Sequence, residues 1–157
     1  MAMTFTDCIL FDFNDIQQRL LPVIETFNEE NAFIRPSKNM NHAAWLLGHI
    51  LWVEDYLAAE VPDGKVNRRI EWDVHFGDGS PCEEKNKLPL FSDIVDHYHE
   101  VHGAVLTHIK SFEGKDLNVA PKKDQFFKSK TMSLIHLIEE ISYHFGQMQY
   151  LSKILNS

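Results

Sequence analysis

"SKTMSLIHLIEEISYHFGQMQYLSKIL", residues 129–155, carries the clearest periodicity in the chain. Leu134, Leu137, Ile138, Ile141, Phe145, Met148, Leu151 and Leu155 recur at three- and four-residue spacings, the signature of a helix with one buried face. At about 100° per residue, Glu139 and Tyr143 point away from that stripe. Glu140, His144 and Gln147 lie on its flank, where a charged group needs a reason to be.

Working outward, three more segments show the same period. Residues 5–31 place Ile9, Leu10, Phe13, Ile16, Leu20, Val23, Ile24 and Phe27 on one face, with Pro22 predicting a kink. A second helix is expected over about 40–59, capped by Asn39 or Asn41. A third runs from near Ser92 to about Ser111 along Ile94, Val95, Tyr98, Val101, Val105 and Ile109. Between the second and third, Val61 to Pro89 holds the turn signals "PDG" and "GDGS" and reads as a long connection, with a short helix around 67–76. No segment sustains a period of two. The expected fold class is all-α: a four-helix bundle with a long crossover between helices 2 and 3.

With 157 residues, 44% of them hydrophobic, the chain can bury one sizeable core, and residues 1–157 read as a single domain. A net charge of −8 argues against nucleic acid or an anionic membrane as partner, since both call for clustered Lys and Arg. The one basic stretch, "PKKDQFFKSK" at 121–130, carries an aspartate and reads as a solvated connection. No run is long enough to span a bilayer, and the N-terminal stretch lacks a basic region ahead of its apolar residues. Cys8 and Cys82 have neither metal nor redox spacing, so a reducing cytoplasm is expected.

Ligand-capable side chains at i and i+4 can share one metal ion, which allows His136 with Glu140 or Glu140 with His144. The second pair sits nearer the stripe centre. Its bland alternative is a surface hydrogen bond between neighbours on a helix. A third ligand must come from another helix, and helix 2 offers His49 amid Trp45, Trp52, Val53 and Tyr56. Such surroundings favour the neutral imidazole a metal requires, although a core histidine bonded to a carbonyl fits the same pattern. His42 can cap the helix or support the site. Leu47 and Leu51 face the other way and suggest a dimer interface. On helix 3, His97, His99 and His108 read as solvent-facing, with His102 an outside candidate for the pocket wall. His75 lies in the crossover with nothing to fix its position.

"NHAAWLLGHILWVEDYL" at 41–57 and "SLIHLIEEISYHFGQMQYL" at 133–151 together resemble the DinB/YfiT-like superfamily of metal-dependent enzymes. The resemblance spans most of the chain and is carried by the Trp45, His49, Trp52 spacing and by the "HFGQ" stretch at 144–147. It implies a crossover four-helix bundle, often dimeric, holding a divalent ion, typically zinc or nickel. By motif position His49 and His144 carry over as metal ligands. Many members have histidine where this chain has Glu140, and a glutamate variant occurs in the mycothiol-dependent maleylpyruvate isomerase branch. The resemblance further implies a low-molecular-weight thiol such as bacillithiol, mycothiol or glutathione, used in S-transfer or isomerisation of a small electrophile. Trp45, Trp52, Tyr56 and Gln147 would then line the pocket for the small-molecule substrate. Two alternatives stay open: a noncatalytic ligand-binding or stress-response dimer, and a structural metal closed by His102 or His42.

Overall fold

The computed structural model describes residues 2–156. Helix α1, Phe5–Ile24, opens on a capping box: the Thr4 hydroxyl accepts from the Asp7 amide at 3.1 Å, and the Asp7 carboxylate accepts from the Thr4 amide at 2.8 Å. It stops well short of residue 31. Pro22 stands in its last turn, and residues beyond Ile24 turn back instead, with the Asn31 side-chain carbonyl accepting from the Asn28 amide. The expected kink is therefore a termination.

Helix α2, Ala43–Asp55, is capped by His42, whose Nδ1 accepts from the Trp45 amide at 3.0 Å; neither Asn39 nor Asn41 fills that role. The helix continues through a π turn, Tyr56–Glu60, and a last α turn, Val61–Asp63, before Gly64 ends it with a positive φ. Almost every residue of α2 is buried, because it runs through the centre and packs chiefly on the third and fourth long helices. Leu47 and Leu51 are buried within the chain itself, so the second apolar side of α2 is not a surface for a second copy.

The crossover folds into a turn at Ile70–Trp72 followed by the short helix α3, Asp73–Phe76. Arg68 holds it down. Its guanidinium reaches Asp55 at 3.1 Å, Glu60 at 2.7 Å and Asp73 at 2.8 Å, and Asp55 is fully buried. Phe76 drops onto Gly48 of α2, where a Cβ would lie 2.6 Å from the ring's Cγ. Only glycine lets the crossover sit this close to the bundle.

Helices α4, Phe91–Lys110, and α5, Lys130–Leu155, complete the bundle; Ser129 caps α5 by accepting from the Met132 amide. The described residues contain no strand, and among them no helix is long and apolar enough to cross a membrane. Two sequence expectations for α4 fail. His97 and His108 are buried, because the crossover and the end of α2 supply them with partners: the Arg69 amide donates to His97 Nε2 at 3.0 Å, and Asp63 meets His108 at 3.0 Å. His99 is exposed, as expected.

Candidate metal centre

His49 on α2 and Glu140 and His144 on α5 bring one ligand atom each to within 4.8 Å of one another. One turn of helix separates Glu140 from His144, so the carboxylate lies 3.3 Å from His144 Nε2. The two imidazoles meet edge to face, with centroids 4.6 Å apart.

Each imidazole is oriented from behind. His49 Nδ1 lies 2.6 Å from the carbonyl oxygen of Phe76, which can only accept, so Nδ1 carries the proton and Nε2 keeps its lone pair. His144 Nδ1 donates to the side-chain carbonyl of Gln147 at 3.0 Å, leaving its Nε2 turned to Glu140. Burial pushes the His49 pKa down, as does neighbouring His144, while the Phe76 carbonyl and Glu140 pull it back up. The outcome is two imidazole Nε2 atoms and a carboxylate facing one another. A divalent cation fits that donor set.

The walls come from a column of rings along α2. Positions 45, 49, 52 and 56 fall on one helical face, and their rings stack in turn: Trp45 on His49 at 4.7 Å, His49 on Trp52 at 5.8 Å, Trp52 on Tyr56 at 4.6 Å, all within 14° of parallel. Trp45 Nε1 donates to the Ser80 hydroxyl, which donates onward to the His75 carbonyl, tying the crossover to the column. At the far end, the Tyr56 hydroxyl donates to Asp124 at 2.9 Å. Burial, with the Asp124 carboxylate next, pushes that phenol up to about 12, so it stays protonated as a donor.

A cavity of about 290 Å³ opens beside the cluster. His49, Trp52, Tyr56 and Glu140 line it, and so do Asp78 of the crossover and Asp124, Phe126 and Phe127 of the segment before α5. Trp45 and Gln147 are not in its lining; they stand behind His49 and His144 and fix those rings. His136 lines the cavity, with Nε2 3.7 Å from the other side of Glu140, but lies outside the three-residue cluster.

His102 is elsewhere, which corrects the expectation that it walls the pocket. It is buried between α1 and α2, stacked on Phe13 at 4.5 Å, with Nδ1 2.9 Å from Glu54. Burial raises the Glu54 pKa, and His102 opposes that shift. His42 is taken up by its cap and by the Glu83 carbonyl. Neither reaches the cluster, so neither closes it as a fourth ligand. His75 pairs with Glu83 at 2.6 Å and stays on the crossover.

The sequence pattern of the DinB superfamily matches residues 12–148 of the chain. No curated protein matches it. Among solved structures, the crystal structure of a conserved protein from Enterococcus faecalis superimposes with a TM-score of 0.64 at 16% identity, over 97% of each chain. At that identity the likeness is one of fold. The cluster spans the two helices that carried the resemblance, both wholly or largely inside the matched segment, and the chain belongs to the DinB superfamily.

Proposed function

We propose that the protein is a divalent-metal-dependent enzyme in which His49, Glu140 and His144 hold the ion, zinc or nickel. The observation that carries this reading is the pair of oriented imidazoles: both have Nδ1 engaged from behind and Nε2 turned to a shared point with Glu140. Two histidines and one carboxylate form a donor set of catalytic rather than structural type, with a position left for a small molecule. The ion, when bound, lowers the pKa of the water or thiol it takes and supplies a nucleophile at neutral pH.

The chain's own residues do the rest. Phe76 and Gln147 fix the imidazole tautomers. The ring column keeps water off one side of the ligands, and Tyr56 offers a phenolic proton that stays in place across the physiological range. The reaction this supports is thiol-dependent S-transfer or isomerisation of a small electrophile. On this reading the protein works in the cytoplasm as a homodimer, with Cys8 and Cys82 as free thiols.

Plasma mass spectrometry on untagged protein tests it, beside a His49→Ala, His144→Ala double variant. About one zinc, nickel or iron per chain, absent from the variant, is the expected result. Metal in neither, even after reconstitution, would leave the noncatalytic ligand-binding dimer as the better account.

A further inference from the structure

Two of the three candidate ligands are held from behind, His49 by the Phe76 carbonyl and His144 by Gln147. Among the described residues, Glu140 has no such hydrogen bond. Its carboxylate is met instead by two imidazoles, one turn of α5 to either side. His144 Nε2 stands 3.3 Å from Oε2, and His136 Nε2 stands 3.7 Å from Oε1. The two histidines thus address different oxygens of one carboxylate.

His144 belongs to the cluster, whereas His136 lies outside it and lines the cavity. Its ring is placed by Phe127, which is buried and tilted against it at 5.6 Å. Its Nδ1 faces Glu139 at 3.2 Å, so a single ring proton has two carboxylates to choose between. Glu139 is 73% exposed, and water screens most of the attraction in such a pair. Glu140 is 29% exposed and borders the cavity, where the same attraction is stronger. The nearer contact is therefore the weaker one. The arrangement favours the tautomer with its proton on Nε2, directed at Oε1 of Glu140.

We propose that His136 is the positioning residue for Glu140: its Nε2–H holds Oε1 aside, so that Oε2 is the ligand atom. A carboxylate that binds through one oxygen leaves a coordination position for a small molecule, which binding through both would take. Each of the three ligands then has a partner behind it, the usual arrangement around a metal. The inference rests on the proposed function, since positioning has meaning only where an ion is held.

The test measures zinc affinity by competition with a chelating dye for the parent, His136→Ala and His136→Gln. Cobalt(II) absorption and urea unfolding of the metal-free proteins are read on the same preparations. His136→Ala is expected to bind zinc at least about tenfold more weakly, the scale for losing a partner of this kind. His136→Gln recovers most of that loss, because its amide nitrogen stands as many bonds from the backbone as Nε2 and also donates. The cobalt bands keep their positions in both variants, since the ligand set is unchanged. Metal-free unfolding changes little, since the His136 side chain is 38% exposed. Parent affinity in His136→Ala sinks this inference alone, as does a loss that glutamine leaves unrepaired. Shifted cobalt bands would make His136 a ligand, and a matching loss of stability would make it a folding residue; either overturns the proposal. A parent that holds no metal overturns the enzyme reading and this inference with it.

Discussion

His49 Nδ1 donates to the carbonyl oxygen of Phe76 at 2.6 Å, joining the central helix to the crossover across 27 residues of chain. That bond fixes which nitrogen of His49 faces Glu140 and His144. It exists only because Phe76 can settle onto Gly48, one residue before His49 on α2.

Gly48→Ala therefore tests the seating of the crossover. Alanine gains about 1 kcal/mol of helix propensity over glycine. Against this, overpacking a buried site costs about 1–3 kcal/mol, and here the intruding methyl meets the root of a buried ring. We expect a net loss of about 1 kcal/mol in urea unfolding, together with weaker metal retention as the Phe76 carbonyl moves. A variant more stable than the parent would mean that Phe76 yields freely.

Gln147→Ala removes the acceptor behind His144 without touching a ligand atom. The expected effect is a 10–100-fold weaker metal affinity, roughly the scale for losing such a supporting hydrogen bond. Competition against a chelating dye measures it, and metal-free unfolding should change little. Equal loss of stability and affinity would instead mark Gln147 as a folding residue.

His42 predicts a pH effect away from the metal. Burial lowers its pKa below the ordinary 6.5, opposed by the bond to the Glu83 carbonyl, and its neutral Nδ1 caps α2. A folded-state pKa below the unfolded one means the unfolded chain binds the proton first. Stability is then unaffected well above pH 6.5 and is lost as pH falls below it. His42→Asn keeps a capping oxygen and cannot titrate, so the stability difference between the two proteins isolates this group. Between pH 6.5 and 5 the parent should lose up to about 1.4 kcal/mol per pH unit relative to the variant, read from urea midpoints at several pH values. Parallel pH profiles would show that His42 does not carry the effect.

Arg68→Met leaves Asp55 buried with its counter-charge gone. Removing one partner of a buried pair costs about 3–5 kcal/mol, far beyond the usual surface ion pair. Asp55→Asn in the same chain should recover part of that loss, because the uncompensated charge disappears. Unfolding of the single and double variants checks both claims; a loss under about 1 kcal/mol would place the pair with surface bridges.

The helices that hold the cluster were legible because helical period is a local property. Leu134 through Leu155 set the buried face of α5, and that face placed Glu140 and His144 on its edge. Helix α2 did the same for His49 and its ring column, since spacings of three and four put Trp45, Trp52 and Tyr56 on one side. The end of α1 was not legible, because bonds within the Asn28–Asn31 turn outcompete a hydrophobic pattern that runs on to Phe27. Polarity hid the burial of His97 and His108. Their partners, the Arg69 amide and Asp63, lie far away in sequence and close in space.

The sequence by itself thus determined the helices, the family and the three side chains that can share an ion. Only the tertiary structure decided what surrounds them. Asp78, Asp124, Phe126 and Phe127 reach the cavity on connecting segments, which have no period to read. The segment carrying Asp124, Phe126 and Phe127 is placed by long-range bonds from the Lys122 and Lys123 amides to the carbonyls of Pro62 and Val61, and the turn carrying Asp78 by the bond from Trp45 Nε1 to the Ser80 hydroxyl. A helix repeats its own hydrogen bonds and so announces itself, whereas a loop takes its shape from whichever distant groups satisfy its backbone.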